Sequence, residues 1–264
     1  LMYFDAEGFE AGYSPAFNGT GELQGQTLVN IDGSTLWKES PNPAGSPSTA
    51  TVVAGAGVGG SQGVEVVKES GINGFWGATV DALPVPGLPY ICIEWDMLVE
   101  ASMGTPSGGD DPFGPYFGIQ AFSEDEGPPG AALPLAFLGV DSQTLDILNI
   151  SGGVFSETGE TVAAGVWNSF QLFLDYDTKT YDGFMNGSAL FVDVPFFDTG
   201  AELFSDAAIA AIAAADTPYY QGLTGTAYFD NYYVFGTDTA KIPEPAGILL
   251  LSVGAALAAC RQRR

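Results

Sequence analysis

The stretch "EWDMLVE" places three carboxylates, Glu94, Asp96 and Glu100, within seven residues. Paired carboxylates can cleave a glycosidic bond, one as proton donor and one as nucleophile, when they stand about 5–5.5 Å apart. Further acids crowd both ends of the body: Asp5, Glu7 and Glu10 near the start, Asp230 with Asn231 near the finish. Oxygen-rich groups of this kind suit calcium, a hard cation that takes carboxylates, amides and carbonyls. Asp110, Asp111, Glu124, Asp125 and Glu126 form another acidic group in Gly/Pro-rich sequence, where solvated loop charge is the plainer expectation and weak calcium binding the other. Sugar sites pair an aromatic platform with a few polar groups. The candidates are Trp37, Trp76, Trp167, Tyr116, Tyr219 and Tyr220; Trp76, Tyr116, Tyr219 and Tyr220 are carried forward as ligand-binding residues.

Composition bounds what these groups can do. Across 264 residues, 32 acidic side chains oppose 7 basic ones, and the formal net charge is -25. Nucleic acid is excluded as a partner, since a polyphosphate is repelled by such a surface. There is no histidine, so His-ligated zinc, a Ser-His-Asp triad and a histidine base are all out of reach. Only Cys92 and Cys260 are present, too few for a disulfide framework. The chain opens on Leu1 rather than Met, as expected either after processing that removes an export signal or in a fragment of a longer chain.

The elements that must position these groups read mainly as strands. In "YICIEWDMLV", Ile91, Ile93, Trp95, Met97 and Val99 alternate with Cys92, Glu94 and Asp96, as in an antiparallel strand with one wet face. In "WNSFQLFLDYDTKTYDGFMNGSALFVDV", two turn signals, "DYDTKT" and Asn186-Gly187, predict three consecutive antiparallel strands. "AYFDNYYVFG" predicts a closing strand, whereas the alanine-rich "AELFSDAAIAAIAAAD" predicts a helix. No linker forces a second folded unit. We expect an all-β, two-layer antiparallel jelly-roll β-sandwich over residues 1–238, followed by a tail over 239–264 that ends in a short hydrophobic helix. Ala246 to Cys260 would rise about 1.5 Å per residue and reach only about 22 Å, short of the roughly 30 Å hydrocarbon core.

The ending "IPEPAGILLLSVGAALAACRQRR" resembles the PEP-CTERM sorting signal of Gram-negative bacteria in Pro243, Glu244 and Pro245, in its short apolar span, and in Arg261, Arg263 and Arg264. The resemblance implies export, transient inner-membrane anchoring, a sorting enzyme acting on the tail, and a final place in the cell envelope or extracellular matrix. The body resembles concanavalin-like or carbohydrate-binding-module-like jelly rolls in "FDAEGFEAG", "WNSFQLFLDYDTKTYDGFMNG" and "YFDNYYVFG". In those folds the first and last strands are neighbours, and a structural Ca2+ ties an N-terminal acid to an Asp of the closing strand. The resemblance therefore implies Glu10 and Asp230 as calcium ligands, with Asp5, Glu7 and Asn231 beside them. "EWDMLVE" also resembles the Glu-x-Asp-x-x-Glu strand of laminarinase-like jelly-roll enzymes through Glu94 and Asp96. Its third acid would fall at Val99, and Glu100 is one residue late. The sequence thus leads us to expect no enzymatic activity but a non-catalytic structural or adhesive protein of the envelope or matrix. A carbohydrate-binding lectin is the alternative, a glycoside hydrolase the more distant one, and extracellular polysaccharide and self-association are the expected interactions.

Overall fold

A computed structural model describes residues 1–10, 20–30, 33–41, 48–71, 73–78, 87–102, 111–123, 133–215 and 217–239. In chain order its elements begin with β1 (Met2–Glu7), β2 (Gly21–Glu22), β3 (Thr27–Asn30), β4 (Gly33–Leu36), β5 (Lys38–Pro41) and β6 (Thr49–Val53). Then come β7 (Gly63–Lys68), β8 (Gly74–Gly77), β9 (Tyr90–Val99), β10 (Tyr116–Ser123), β11 (Leu133–Asp141) and β12 (Asp146–Ser151). The remainder are β13 (Val154–Thr161), β14 (Asn168–Asp175), β15 (Thr180–Met185), β16 (Ser188–Pro195), β17 (Asp206–Ile212), the short helix α1 (Pro218–Gln221) and β18 (Gly225–Thr237).

These strands form two antiparallel sheets, giving the all-β, jelly-roll-like sandwich expected. One sheet runs β16-β15-β14-β9-β18-β1-β3-β4, with β7, β6 and β2 extending from β18; the other runs β13-β12-β11-β10-β17-β8-β5. The 13 residues of β18 serve two partners along one edge, β7 through Gly225 to Phe229 and β1 through Tyr232 to Phe235. Its other edge pairs with β9. First and last strands are therefore neighbours.

Local sequence explains much of this sheet. Ile91, Ile93, Trp95, Met97 and Val99 of β9 are all buried, while Glu94, Asp96 and Leu98 keep partial exposure. Asp175 Oδ1 accepts from the backbone N–H of Asp177 (2.8 Å) and Thr178 (3.1 Å), closing the β14–β15 turn. Asn186 and Gly187 take φ of 51° and 79° at the next turn, the left-handed pair that a two-residue hairpin needs.

One expected element is different. The alanine-rich stretch forms β17, not a helix, and lies between β10 and β8. Ala207 to Ile212 are buried throughout. The neighbouring β10–β11 ladder is equally tight: a Cβ on Gly118 would stand 2.3 Å from the Leu138 carbonyl oxygen. Small side chains suit such a crowded central strand, and packing overrides alanine's helical preference. The expected C-terminal hydrophobic helix lies outside the described residues, as do Pro243, Glu244, Pro245, Arg261, Arg263 and Arg264. Among the described residues no helix is long and apolar enough to cross a membrane.

Candidate functional site

The outward side of the larger sheet carries a groove of about 270 Å³, lined by Glu94, Asp96, Ser169, Gln171, Asn231 and Tyr233 among others. The register places these groups in transverse rows. Gln171 and Tyr233 flank Glu94 from β14 and β18, and Ser169 stands opposite Asp96. The β9–β14 ladder runs unbroken from Tyr90–Asp175 to Met97–Asn168. Side-chain parity therefore carries Glu94, Asp96, Leu98 and Glu100 to one face, while Val99 turns into the core. No bulge brings an acid to position 99.

Donors hold both carboxylates. Ser169 Oγ donates to Asp96 Oδ1 at 2.5 Å, and Asn231 Nδ2 donates to Asp96 Oδ2 at 2.7 Å. Gln171 Nε2 donates to Glu94 Oε1, also at 2.5 Å, and lies 3.0 Å from Cys92 Sγ. Asn231 reaches Asp96 because β18 has a register shift between Asp230 and Tyr233, with Asn231 at φ 49°. Such a bulge re-aims a side chain. Residues two apart on a strand are about 6.7 Å apart along its axis, the order of spacing that an acid pair flanking a glycosidic bond requires.

The acidic ends of the chain meet at a different point. A Cβ on Gly8 would lie 3.3 Å from Asp230 Oδ1, 3.6 Å from Asn231 Oδ1 and 3.6 Å from Glu10 Cγ, so these three residues converge there. Val58 N and Ser61 Oγ donate to Asp230 Oδ2 at 2.8 and 2.9 Å, and Asn231 N donates to Oδ1 at 2.8 Å. Gln62 N donates to Glu10 Oε1 at 2.8 Å. Protein donors thus tie the 58–62 loop to both chain ends. Burial pushes the Asp230 carboxyl above its ordinary range, against the lowering effect of those donors. Asp5, two residues before Glu7 on β1, pairs along the backbone with Tyr233 and Val29. The Glu7 side chain lies outside the described residues.

A third acidic group stands on the other sheet. One carboxylate oxygen from each of Asp111, Asp146 and Glu157 lies within 4.8 Å of the others; Asp146 is half-buried and its two companions exposed. Burial, then the charges of Asp111 and Asp146, push Glu157 upward in pKa. An all-oxygen set of this kind could coordinate a divalent metal ion. Sequence reading singled out Asp111 but missed Asp146 and Glu157, which only the β12–β13 pairing brings beside it. Asp110, Glu124, Asp125 and Glu126 lie outside the described residues.

The expected aromatic platform is mostly elsewhere. Trp76 is 1% exposed and pairs with Ile209 of β17, inside the core. Tyr116 is likewise 1% exposed, with its hydroxyl donating to the Pro112 carbonyl at 3.0 Å and its ring 4.7 Å from that of Phe155. Neither offers a face to a sugar. Tyr219 and Tyr220 of α1 stay half-buried, edge to face at 5.0 Å. Trp37 is buried, whereas Trp167 keeps partial exposure.

No protein-family model matches this chain, and no curated protein matches it. Solved structures do. A sialidase is matched over 76% of this chain at 10% identity and a TM-score of 0.51; the chain spans 17% of that enzyme's length. The endo-β-1,4-glucuronan lyase of the fungus Trichoderma reesei is matched over 84% of this chain and 96% of its own, at 13% identity and a TM-score of 0.50. The binding domain of botulinum neurotoxin DC, solved with rat synaptotagmin II, is matched over 89% of this chain and 51% of that one, at 8% identity and a TM-score of 0.50. At these identities the likeness establishes the fold. A non-catalytic structural or adhesive protein, with no enzymatic activity, was expected; instead, the fold is shared over nearly the whole length of a polysaccharide lyase, and the Asp111, Asp146 and Glu157 cluster supplies a candidate metal site, so the strictly non-catalytic expectation is withdrawn.

Proposed function

We propose that this chain is a carbohydrate-active protein that binds and hydrolyses neutral polysaccharide at the β9 groove. The observation carrying this is the pair Glu94 and Asp96 on one face of an unbroken strand, fixed by Gln171, Ser169 and Asn231 in a common groove. Asp96, gripped through both oxygens, is suited to the fixed role of nucleophile or base. Glu94, which accepts from Gln171 Nε2 and, at 3.8 Å, from Cys92 Sγ, is assigned the proton transfer. A net charge of -25 and the absence of Lys or Arg from the groove lining among the described residues disfavour a polyanionic substrate.

The test is reducing-end release from neutral polysaccharides by the full chain and by Glu94→Gln and Asp96→Asn. Each substitution should lower the rate by about 10²–10⁴-fold. Wild-type protein inert on every neutral glycan, or variants as active as wild type, would overturn the assignment.

Calcium completes the proposal as a structural ion. Asp111, Asp146 and Glu157 could hold it, and Glu10, Asp230 and Asn231 form the second candidate set. Removing like-charge repulsion among carboxylates is what the ion would supply. The tail resemblance supports export and transient inner-membrane anchoring, with a sorting enzyme cutting near Pro245 and leaving the protein in the envelope or matrix. Intact-mass measurement of protein from a native envelope tests this; a retained tail would count against it.

A further inference from the structure

Beyond Asp96, the outward face of β9 continues into a second groove of about 370 Å³, lined by Glu65, Leu98, Glu100, Trp167 and Tyr228 among others. The register makes this groove one transverse row. Trp167 directly precedes β14, whose Asn168 pairs with Met97, so the Trp167 ring has the outward parity of Ser169 and lies beside Leu98. Tyr228 flanks Leu98 from β18, and Glu65 of β7 stands opposite Tyr228. The Tyr228 hydroxyl hydrogen-bonds the Glu65 carboxylate, which fixes the direction of its ring. Trp167, Leu98 and Tyr228 are each half-buried, so apolar faces reach solvent between polar rims.

The two grooves share β9 as a floor, and from Glu94 to Glu100 that floor runs about 20 Å. Among the described residues four acids, Glu94, Asp96, Glu65 and Glu100, border it, and no Lys or Arg lines either groove. Resting on the assignment of the Glu94/Asp96 groove made above, we infer that β9 floors an extended cleft for an internal stretch of a neutral polysaccharide, with Trp167, Leu98 and Tyr228 as the platform on which sugar rings stack beside the acid pair. Apolar ring faces of pyranoses match an aromatic-aliphatic platform, and hydroxyls can bond the bordering carboxylates. Uronate chains would meet four like charges.

The test uses the full chain carrying Glu94→Gln, titrated calorimetrically with cello-, manno- and laminari-oligosaccharides of two to six units and with alginate oligomers. For at least one neutral ladder, affinity should rise about tenfold or more from dimer to hexamer. Trp167→Ala and Tyr228→Ala should each erase most of that gain without weakening dimer binding, and Tyr228→Phe should keep it. Unchanged thermal midpoints serve as the folding control. Length-independent affinity, hexamer binding indifferent to both alanine variants, tighter binding of alginate, or no neutral binding at all overturns the platform. The two assignments fail separately: length-dependent binding lost in Trp167→Ala, in a protein whose wild type hydrolyses nothing, sustains the platform and removes the hydrolytic role. Hydrolysis abolished by Glu94→Gln with flat binding along every ladder does the reverse.

Discussion

Lys68 is one of only three basic residues in the body, and it is fully buried at the end of β7. Its Nζ donates to the carbonyl oxygens of Glu69 at 2.7 Å and Gly71 at 3.0 Å. Burial pulls its pKa from the ordinary 10.5 down to about 8, against the raising effect of Glu69. At about 1.36 kcal/mol per pH unit, keeping the charge inside the fold at pH 7 costs about 3 kcal/mol. Replacement by Met removes that cost but strands two carbonyls, at about 1 kcal/mol each. Lys68→Met should therefore be more stable than wild type by about 1 kcal/mol at pH 7. Between pH 8 and 10.5 the unfolded chain holds this proton more tightly than the folded one, so wild-type stability gains with rising pH while the variant's does not. By pH 10 the neutral amine makes both hydrogen bonds at little charge cost, and the order should reverse by about 1–2 kcal/mol. Urea denaturation of both proteins at several pH values reads the difference directly, because every other titrating group cancels. A stability difference that stays constant from pH 7 to 10 would refute the reasoning.

Four other outcomes follow from the same geometry. Asp230→Ala should lower the thermal midpoint by about 5–10 °C, since it removes two long-range charged hydrogen bonds worth about 2–3 kcal/mol after solvent compensates; Asp230→Asn, which keeps an acceptor for Val58 and Ser61, should lose less than half of that. Burial raises the pKa of Asp141, Asp182 and Asp230, and burial with nearby acids raises Glu39 and Glu157. Those contributions are full below the ordinary carboxylate values and are lost as pH climbs through the folded ones, so thermal midpoints should rise as the pH is lowered from neutral toward the ordinary carboxylate range; a fall would contradict it. Millimolar calcium should raise the midpoint by about 5–10 °C over EDTA in wild type and much less in Asp146→Asn; equal gains in Asp146→Asn with none in Glu10→Gln would move the ion to the chain ends. Gly118→Ala should cost about 3 kcal/mol by calorimetry, because its Cβ would stand 2.3 Å from backbone that cannot shift cheaply.

The hairpins from β14 to β16 were legible because their turn chemistry is local: Asp175 and Asn186-Gly187 act on residues within three positions of themselves. The outward set of β9 was legible for a similar reason, since strand parity needs no knowledge of neighbours. The alanine strand was not, because crowding beside Gly118 and Gly139 comes from chain more than 60 residues away. The same holds for the candidate sites. Glu94 and Asp96 were visible as a pair, yet their fixing by Gln171 and Asn231 depends on two separate strands and a bulge. Trp76, expected to bind a ligand, is buried instead, because its burial depends on the face that β8 turns inward.

Amino-acid order alone determined the strong negative charge, the lack of any imidazole chemistry, the strand alternation and the tight turns, all of which depend on composition or on neighbours a few residues apart. Only tertiary structure decided which acids face one another and which aromatic rings border them. Register across a sheet is set jointly by strands far apart in the chain, and a shift of one residue would carry Glu94, Asp96, Leu98 and Glu100 from the open face into the core.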